Sequence, residues 1–367
     1  MTANAYIESI EAKAERNRAL VERESSKWCA GANRANAPMH QDDEAILPPI
    51  IMDAAALLAR TFKPRVHLLS PWLTTQSLTM IYARRGVGKT HMALGVAYAL
   101  ASGGEFLGWK ATEPVRVLYL DGEMPGADLK DRLARIITNS TLEAPAGYLQ
   151  IMTPDVQPLG MLPNLYDREG QRAIDAVIDD AQVIIVDNLS CLVRGGKENE
   201  GESWQPVAEW ALRMRSAGRS VIFIHHAGKG GQQRGTSKRE DLLDTVISLR
   251  RPSDYTPDEG ARFEVHFEKA RALYGEDVDP IDARLQTMSD GKQAWTIRRV
   301  ADSTDEQIIE MADMGMSTRE IGTELGVNHS TIVRAIARLK DAGRYTPKPK
   351  APRKPREPAS HWSEGHD

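Results

Sequence analysis

The stretch Leu78-Thr79-Met80-Ile81-Tyr82-Ala83-Arg84-Arg85-Gly86-Val87-Gly88-Lys89-Thr90 decides how the chain is read. A largely apolar run, residues 78–82, enters a short loop. The loop ends in Gly-Lys-Thr and opens a helical pattern that runs from His91 to Leu100. The spacing matches G-x-x-x-x-G-K-S/T, with Ala83 where the first glycine would stand. Gly86 and Gly88 let the backbone curl so that its N–H groups point at phosphate oxygens. The helix N-terminus adds partial positive charge. Lys89 would reach the β- and γ-phosphates of a nucleotide, and Thr90 would offer its hydroxyl to Mg²⁺. The alternative is a glycine turn of no special function. The strand before the loop and the helix after it argue against that.

The 367 residues leave room for one domain of about 200–250 residues plus smaller pieces. Hydrophobic content of 41% with 27% charged residues is that of a globular protein, not of a disordered one. A net charge of −4 excludes a polycation, so any nucleic-acid contact must come from local basic segments. The two cysteines, Cys29 and Cys191, are far apart, which excludes a disulfide framework and fits a reducing compartment. No apolar run approaches about 18 residues, and residues 1–20 lack the apolar core of a secretory signal. The expectation is a soluble, cytoplasmic protein without a membrane partner.

Residues 1–45 read as a polar leader, partly helical or disordered. Residues 46–300 read as an α/β domain. Strand-like runs lie at 78–82, 115–120, 183–186, 221–224, 245–249, 263–267 and 294–297. Helical patterns lie at 91–101, 128–137, 172–181 and 204–217. Several strands are continuous apolar runs, as expected where both faces are buried. The alternation predicts a central, mostly parallel sheet. The last three strands lack intervening helices and predict an antiparallel extension.

Two of these runs end in acids. Val183-Ile184-Ile185-Val186-Asp187 is the pattern in which a strand-end Asp orients the water shell of Mg²⁺ beside a phosphate loop. Val117-Leu118-Tyr119-Leu120-Asp121-Gly122-Glu123 offers a group to position an attacking water, with Glu123 first and Asp121 second. The run 221–224 ends in His225-His226, and either histidine could sense a γ-phosphate. The basic, glycine-rich stretch 225–244 is long enough to be functional. It would line a pore and contact DNA, or Arg234 would serve a neighbouring subunit's nucleotide as an arginine finger. Lys269 and Arg271, at i and i+2, share a direction if the backbone is extended and could reach across a subunit interface. Ordinary surface charge is the other reading.

Residues 301–343 form a second signal. Thr304 is the expected cap of a first helix. Ser317-Thr318-Arg319-Glu320 is a capping box opening a second, and Asn328 caps a third after the Gly326 turn. The last two read as a helix-turn-helix. His329, Ser330, Thr331 and Arg334 would face duplex DNA, and Arg338 would reach phosphate. A helical hairpin for protein contact is the alternative. Residues 344–367 form a basic, proline-rich tail predicted to be disordered, with salt-sensitive affinity for phosphate.

Taken in order and spacing, these motifs resemble the RecA-like ATPases of the plasmid RepA type, the hexameric replicative helicases. The shared set is Ala83–Thr90, Leu118–Glu123, Ile184–Asn188, Ile224–Gly228 with Arg234, and Glu268–Arg271. The resemblance covers about residues 50–275. It implies a RecA-like P-loop NTPase fold, here with an added all-α C-terminal helix-turn-helix domain. It implies a ring, a hexamer, with ATP bound between subunits. The nucleotide would lie along Ala83, Arg84, Arg85, Gly86, Val87, Gly88, Lys89, Thr90 and His91. Thr90 and Asp187 would serve Mg²⁺. Glu123 would be the catalytic carboxylate, and His226 or His225 the γ-phosphate sensor. Arg234 would be the trans finger, assisted by Lys269 and Arg271. Single-stranded DNA would pass through the ring, and the activity would be a DNA-dependent helicase in plasmid, phage or mobile-element replication. Two rivals stand beside this reading: an ATP-switched DNA-binding regulator, and a recombination or repair ATPase.

Overall fold

The computed structural model describes residues 50–195, 204–227, 241–271, 273–289 and 291–346. The leader 1–45, the loop residue Arg234 and the tail beyond residue 346 lie outside the described residues. The chain divides into two compact units, Met1–Lys63 and Pro64–Asp367. In the first, helix α1 spans Ala54–Ala59, and Asp53 caps it by accepting from the Ala56 N–H at 2.7 Å.

The second unit opens with strands β1 (His67–Ser70), β2 (Leu73–Thr74) and β3 (Leu78–Ala83), then helix α2 (Lys89–Ser102). Next come β4 (Glu105–Phe106), β5 (Trp109–Ala111), β6 (Val117–Asp121), α3 (Gly126–Asn139) and β7 (Leu149–Met152). Helix α4 (Arg168–Asp175) leads to β8 (Val183–Asp187), α5 (Leu189–Leu192), α6 (Gln205–Ser216) and β9 (Ser220–His226). Strands β10 (Thr245–Arg250), β11 (Arg262–Ala270), β12 (Ile281–Thr287) and β13 (Gln293–Arg299) follow. Helices α7 (Val300–Asp313), α8 (Thr318–Glu324) and α9 (His329–Asp341) close the described chain.

Nine strands form one sheet in the order β13-β12-β11-β10-β3-β9-β8-β6-β7. Six of them, β10 to β7, run parallel; β11, β12 and β13 are antiparallel. The antiparallel extension therefore begins one strand later than the sequence suggests. β10 pairs parallel with β3, because residues 227–244 are long enough for a crossover. Strands β1, β2, β4 and β5 form a separate antiparallel sheet. Sequence reading misses these, since runs of two to four residues carry little periodicity.

Both faces of the five parallel strands inside β7 are buried, which is why they read as unbroken apolar runs. Ile81, Ile185, Ile222 and Ile224 pack with Met92, Leu94 and Val96 of α2. Met80, Ile184, Val221 and Phe223 pack with Ile174 of α4 and Trp210 of α6 on the other face. Helix α4 starts at Arg168, four residues before the sequence expectation. Asp167 caps it, accepting from the Gly170 N–H at 2.7 Å.

The last three helices share a small core of Ile308, Ile321, Ile332 and Leu339. Helix α7 begins at Val300, directly after β13, so Thr304 is not its cap. The Thr304 hydroxyl instead donates to the Val300 carbonyl at 2.9 Å, inside the helix. The Ser317–Glu320 capping box is formed in both directions. At Gly322 an added Cβ would stand 2.8 Å from the Val327 carbonyl oxygen, so the turn between α8 and α9 closes only over glycine.

Gly170 gives a test of α4. A Cβ there would lie 2.0 Å from the Asn164 carbonyl oxygen, a backbone atom that cannot swing aside. Helix propensity favours alanine by about 1 kcal/mol, and overpacking costs about 1–3 kcal/mol. Gly170→Ala should therefore lower stability in chemical denaturation, against its propensity.

Candidate functional site

The phosphate loop leaves the C-terminal end of β3 with Gly86 at φ +77° and Gly88 at φ +131°, both regions that favour glycine. A Cβ at Gly88 would meet the Phe263 ring at 2.8 Å, so glycine is required there twice over. Gly88 is also the N-cap of α2 and offers no side chain to the first-turn N–H groups. Lys89 is buried and curls back, its Nζ donating to the Ala83 carbonyl at 3.4 Å and the Arg84 carbonyl at 3.3 Å. Burial lowers its pKa, an effect that Asp187 and Glu123 oppose. Arg84 and Arg85 stand exposed on the loop.

The strand ends supply the acids. Asp187 is 4% exposed at the end of β8 and accepts from the Tyr119 hydroxyl at 2.6 Å. Burial raises its pKa to about 6, even though the Tyr119 bond pulls it down. Asp121 and Glu123 part company here. Asp121 is buried and holds its own turn, accepting from the Met124 N–H at 3.2 Å and the Thr153 hydroxyl at 3.0 Å. The Glu123 side chain is 57% exposed, open to water. It accepts from the Asn188 amide and lies 3.6 Å from His226 Nε2. Asn188 closes the Ile184–Asn188 motif, but sequence reading gives it no role of its own.

Strand alternation separates the two histidines. His226 shares its face with Ile222 and Ile224, the α2 face, and so stands beside Lys89. Burial, then the Lys89 charge, lowers its pKa and keeps the imidazole neutral. His225 has the parity of Val221 and Phe223 and belongs to the opposite face.

Other expected residues fall elsewhere. The His91 ring turns from the loop and meets Trp295 edge-on, with ring centres 6.4 Å apart. Burial first, then Arg132 and Arg135, pushes its pKa down to about 4. Its side chain is no part of the phosphate cradle. Lys269 and Arg271 lie at the opposite edge of the sheet from the loop. Ala270 pairs with Thr245, which pairs with Thr79 at the start of β3. Arg271 donates to the Asp241 carbonyl at 3.0 Å.

At the C-terminal helices, His329, Ser330, Thr331 and Arg334 are exposed at the start of α9. Arg338 is different: its guanidinium donates to buried Asp305 at 2.5 Å. That ion pair ties α9 to α7, while the Arg338 side chain stays 59% exposed.

The donors fit a nucleotide with its metal: a cradle that only glycine permits, one lysine, one hydroxyl and one buried carboxylate. Among the described residues no three His, Cys, Asp or Glu side chains are grouped to hold a metal. Fold and site together define a P-loop NTPase built on a mostly parallel sheet.

Residues 42–232, more than half of the chain, match the family described as AAA domain. The chain belongs to that family and is an ATPase. Two solved structures are similar to it. A KaiC-like protein from the hyperthermophilic archaeon Pyrococcus horikoshii OT3 is 15% identical, covering 63% of this chain and 93% of that one, with a TM-score of 0.41. The flagellar accessory protein FlaH from Methanocaldococcus jannaschii is 12% identical, covering 61% and 90%, with a TM-score of 0.40.

Asp187 links this site to stability. Its pKa is raised from 3.8 to about 6, so its charge costs folding free energy above pH 6 and costs nothing below about pH 4. Asp187→Asn should raise the melting temperature at pH 8, by at most about 3 kcal/mol of stability. Loss of the partner of Lys89 offsets part of that gain. Melting curves from pH 8 to pH 4 should show the difference shrinking as pH falls through 6.

Proposed function

We propose that this ATPase is DNA-dependent, a hexameric helicase of the RepA-like group that hydrolyses ATP between subunits. The convergence of Lys89, Asp187, Glu123 and His226 at one sheet edge carries the reading. Lys89 binds the β- and γ-phosphates, and Thr90 and Asp187 hold Mg²⁺ and its water shell. Mg²⁺, when bound, neutralises charge on the phosphates. Glu123, anchored by the Asn188 amide and open to solvent, positions the attacking water and takes its proton. His226, neutral at physiological pH, reports the γ-phosphate to Glu123. Arg234, with Lys269 and Arg271, completes a neighbour's site. The edge-to-edge separation of Lys269 and Arg271 from their own phosphate loop supports a role in trans.

The helices α7 to α9 act as a helix-turn-helix on duplex DNA, through His329, Ser330, Thr331 and Arg334. Their exposure beside a glycine-closed turn supports this. The site is expected to load the ring at a duplex before single-stranded DNA passes through it.

Lys89→Ala should abolish hydrolysis, and Glu123→Gln should bind ATP with turnover reduced at least 100-fold. Steady-state hydrolysis with and without single-stranded DNA, beside a tailed duplex, tests the rest. Stimulation with strand separation is expected. Stimulation without separation would replace the helicase by a recombination or loader ATPase, and indifference to DNA would favour the regulator.

The two arginines of α9 should part in behaviour. Arg334→Ala should weaken duplex binding by roughly tenfold with little change in melting. Arg338→Ala should instead destabilise the helices, because it leaves the Asp305 carboxylate buried with one partner fewer. Gel-shift titration and a melting curve on each variant decide it.

A further inference from the structure

The connection between β10 and β11, residues 251–261, lies against the outside of the phosphate loop, and Arg251 makes the contact. Its Nη2 donates to the Gly86 carbonyl at 2.5 Å. Its Nη1 donates to the Arg262 carbonyl at 2.9 Å and the Gly260 carbonyl at 3.4 Å. The guanidinium carbon sits 3.7 Å from the centre of the Tyr255 ring. The strap itself is anchored. Arg262 is buried and pairs with Asp282 at 2.7 Å, Glu259 at 3.1 Å and Asp254 at 3.2 Å. Thr256 and Glu259 close a capping box within it. The adjoining Phe263 ring occupies the space that a side chain on Gly88 would need. The phosphate loop is thus contacted at both of its glycines, at Gly86 by Arg251 and at Gly88 by Phe263.

The grip on Gly86 has a geometric meaning. A carbonyl and the next residue's N–H belong to one rigid trans peptide and point opposite ways. Holding the Gly86 oxygen outward therefore turns the Val87 N–H inward. In this structure the Val87 N–H donates to the Arg84 carbonyl at 3.4 Å, closing the turn on the same oxygen that Lys89 Nζ reaches. Gly86 has no side chain, a φ of +77°, and no heavy atom within 4 Å of the position of a Cβ. Packing does not restrain it, and glycine by itself would wander.

We propose that Arg251 is a positioning residue for ATP binding, holding the Gly86 peptide so that the loop's N–H donors face the phosphates before the nucleotide arrives. The proposal rests on the ATPase reading of this loop. Pre-set donors spare the ordering cost that a free glycine loop would meet on binding.

The test is steady-state ATP hydrolysis by the full chain carrying Arg251→Ala, Arg251→Lys or Arg250→Ala, with Lys89→Ala as the reference for a dead phosphate site. Melting curves with and without ATP accompany each. Arg251→Ala should raise KM about tenfold, as for loss of a charge-assisted hydrogen bond, with kcat changed much less. Its melting temperature without ATP should stay near wild type while the shift caused by ATP shrinks. Arg251→Lys should recover part of the KM, because an ammonium keeps a charged donor for the Gly86 carbonyl but lacks the planar fork that reaches Gly86 with one nitrogen and Arg262 and Gly260 with the other. It carries the test alone if Arg251→Ala does not fold. Arg250→Ala should keep the wild-type KM, since that guanidinium pairs with Glu268 instead, at 3.0 Å. A wild-type KM in Arg251→Ala would overturn the proposal, as would an equal rise in Arg250→Ala. Hydrolysis that survives Lys89→Ala would overturn the ATPase reading beneath it.

Discussion

Side chains leave a β-strand on alternating faces, and this period of two governs where chemistry can sit in this chain. Ala83 on β3, His226 on β9, Asp187 on β8 and Asp121 on β6 all have the parity that faces α2. The parallel registers, Ala83 with His226 and Asp121 with Asp187, bring their strand ends to one edge. A slip of one residue would turn Asp187 toward the face where Trp210 and Phe223 are fully buried. A carboxylate there would have neither water nor a cation. The apolar runs that build the core thus also fix the register that builds the site.

The site carries its charges under strain from burial. Asp187 is pushed up, and Lys89 and His226 are pushed down, each toward its neutral form. Opposite charges nearby hold part of the balance. A bound phosphate and its cation would bring opposite charge to each of these groups, so nucleotide binding is expected to stabilise the fold. Asp121 is pushed the same way: burial raises its pKa, against the hydrogen bonds it accepts. Equally buried, it spends its oxygens on the turn and on Thr153, and so shapes the strand end that presents Glu123.

Much of this was legible in the residues. The phosphate loop stands on its own spacing, and the central strands announce themselves as apolar runs closed by a polar residue. What was not legible needed a third dimension. The choice between His225 and His226 depends on which face carries α2. The choice between Asp121 and Glu123 depends on a turn closed by Thr153, 32 residues away from Asp121. Arg251 meets Gly86 across 165 residues, and Arg338 meets Asp305 across 33. No local pattern signals such pairs. β12 is a different case: Ile281-Asp282-Ala283-Arg284-Leu285 alternates cleanly and was open to a period-two reading.

The chain passes from β13 to α7 with no spacer, Arg299 being both the last residue of the strand and the N-cap of the helix. Helix α7 also packs against β12 and β13. Mechanically, the joint has no slack. A pull on the helical end cannot be taken up by uncoiling a tether, and any swing must pass through one φ/ψ pair or break those contacts. Force arriving there would be delivered to β13, across to β12, and through Asp282 to Arg262 at the foot of the segment that grips the phosphate loop.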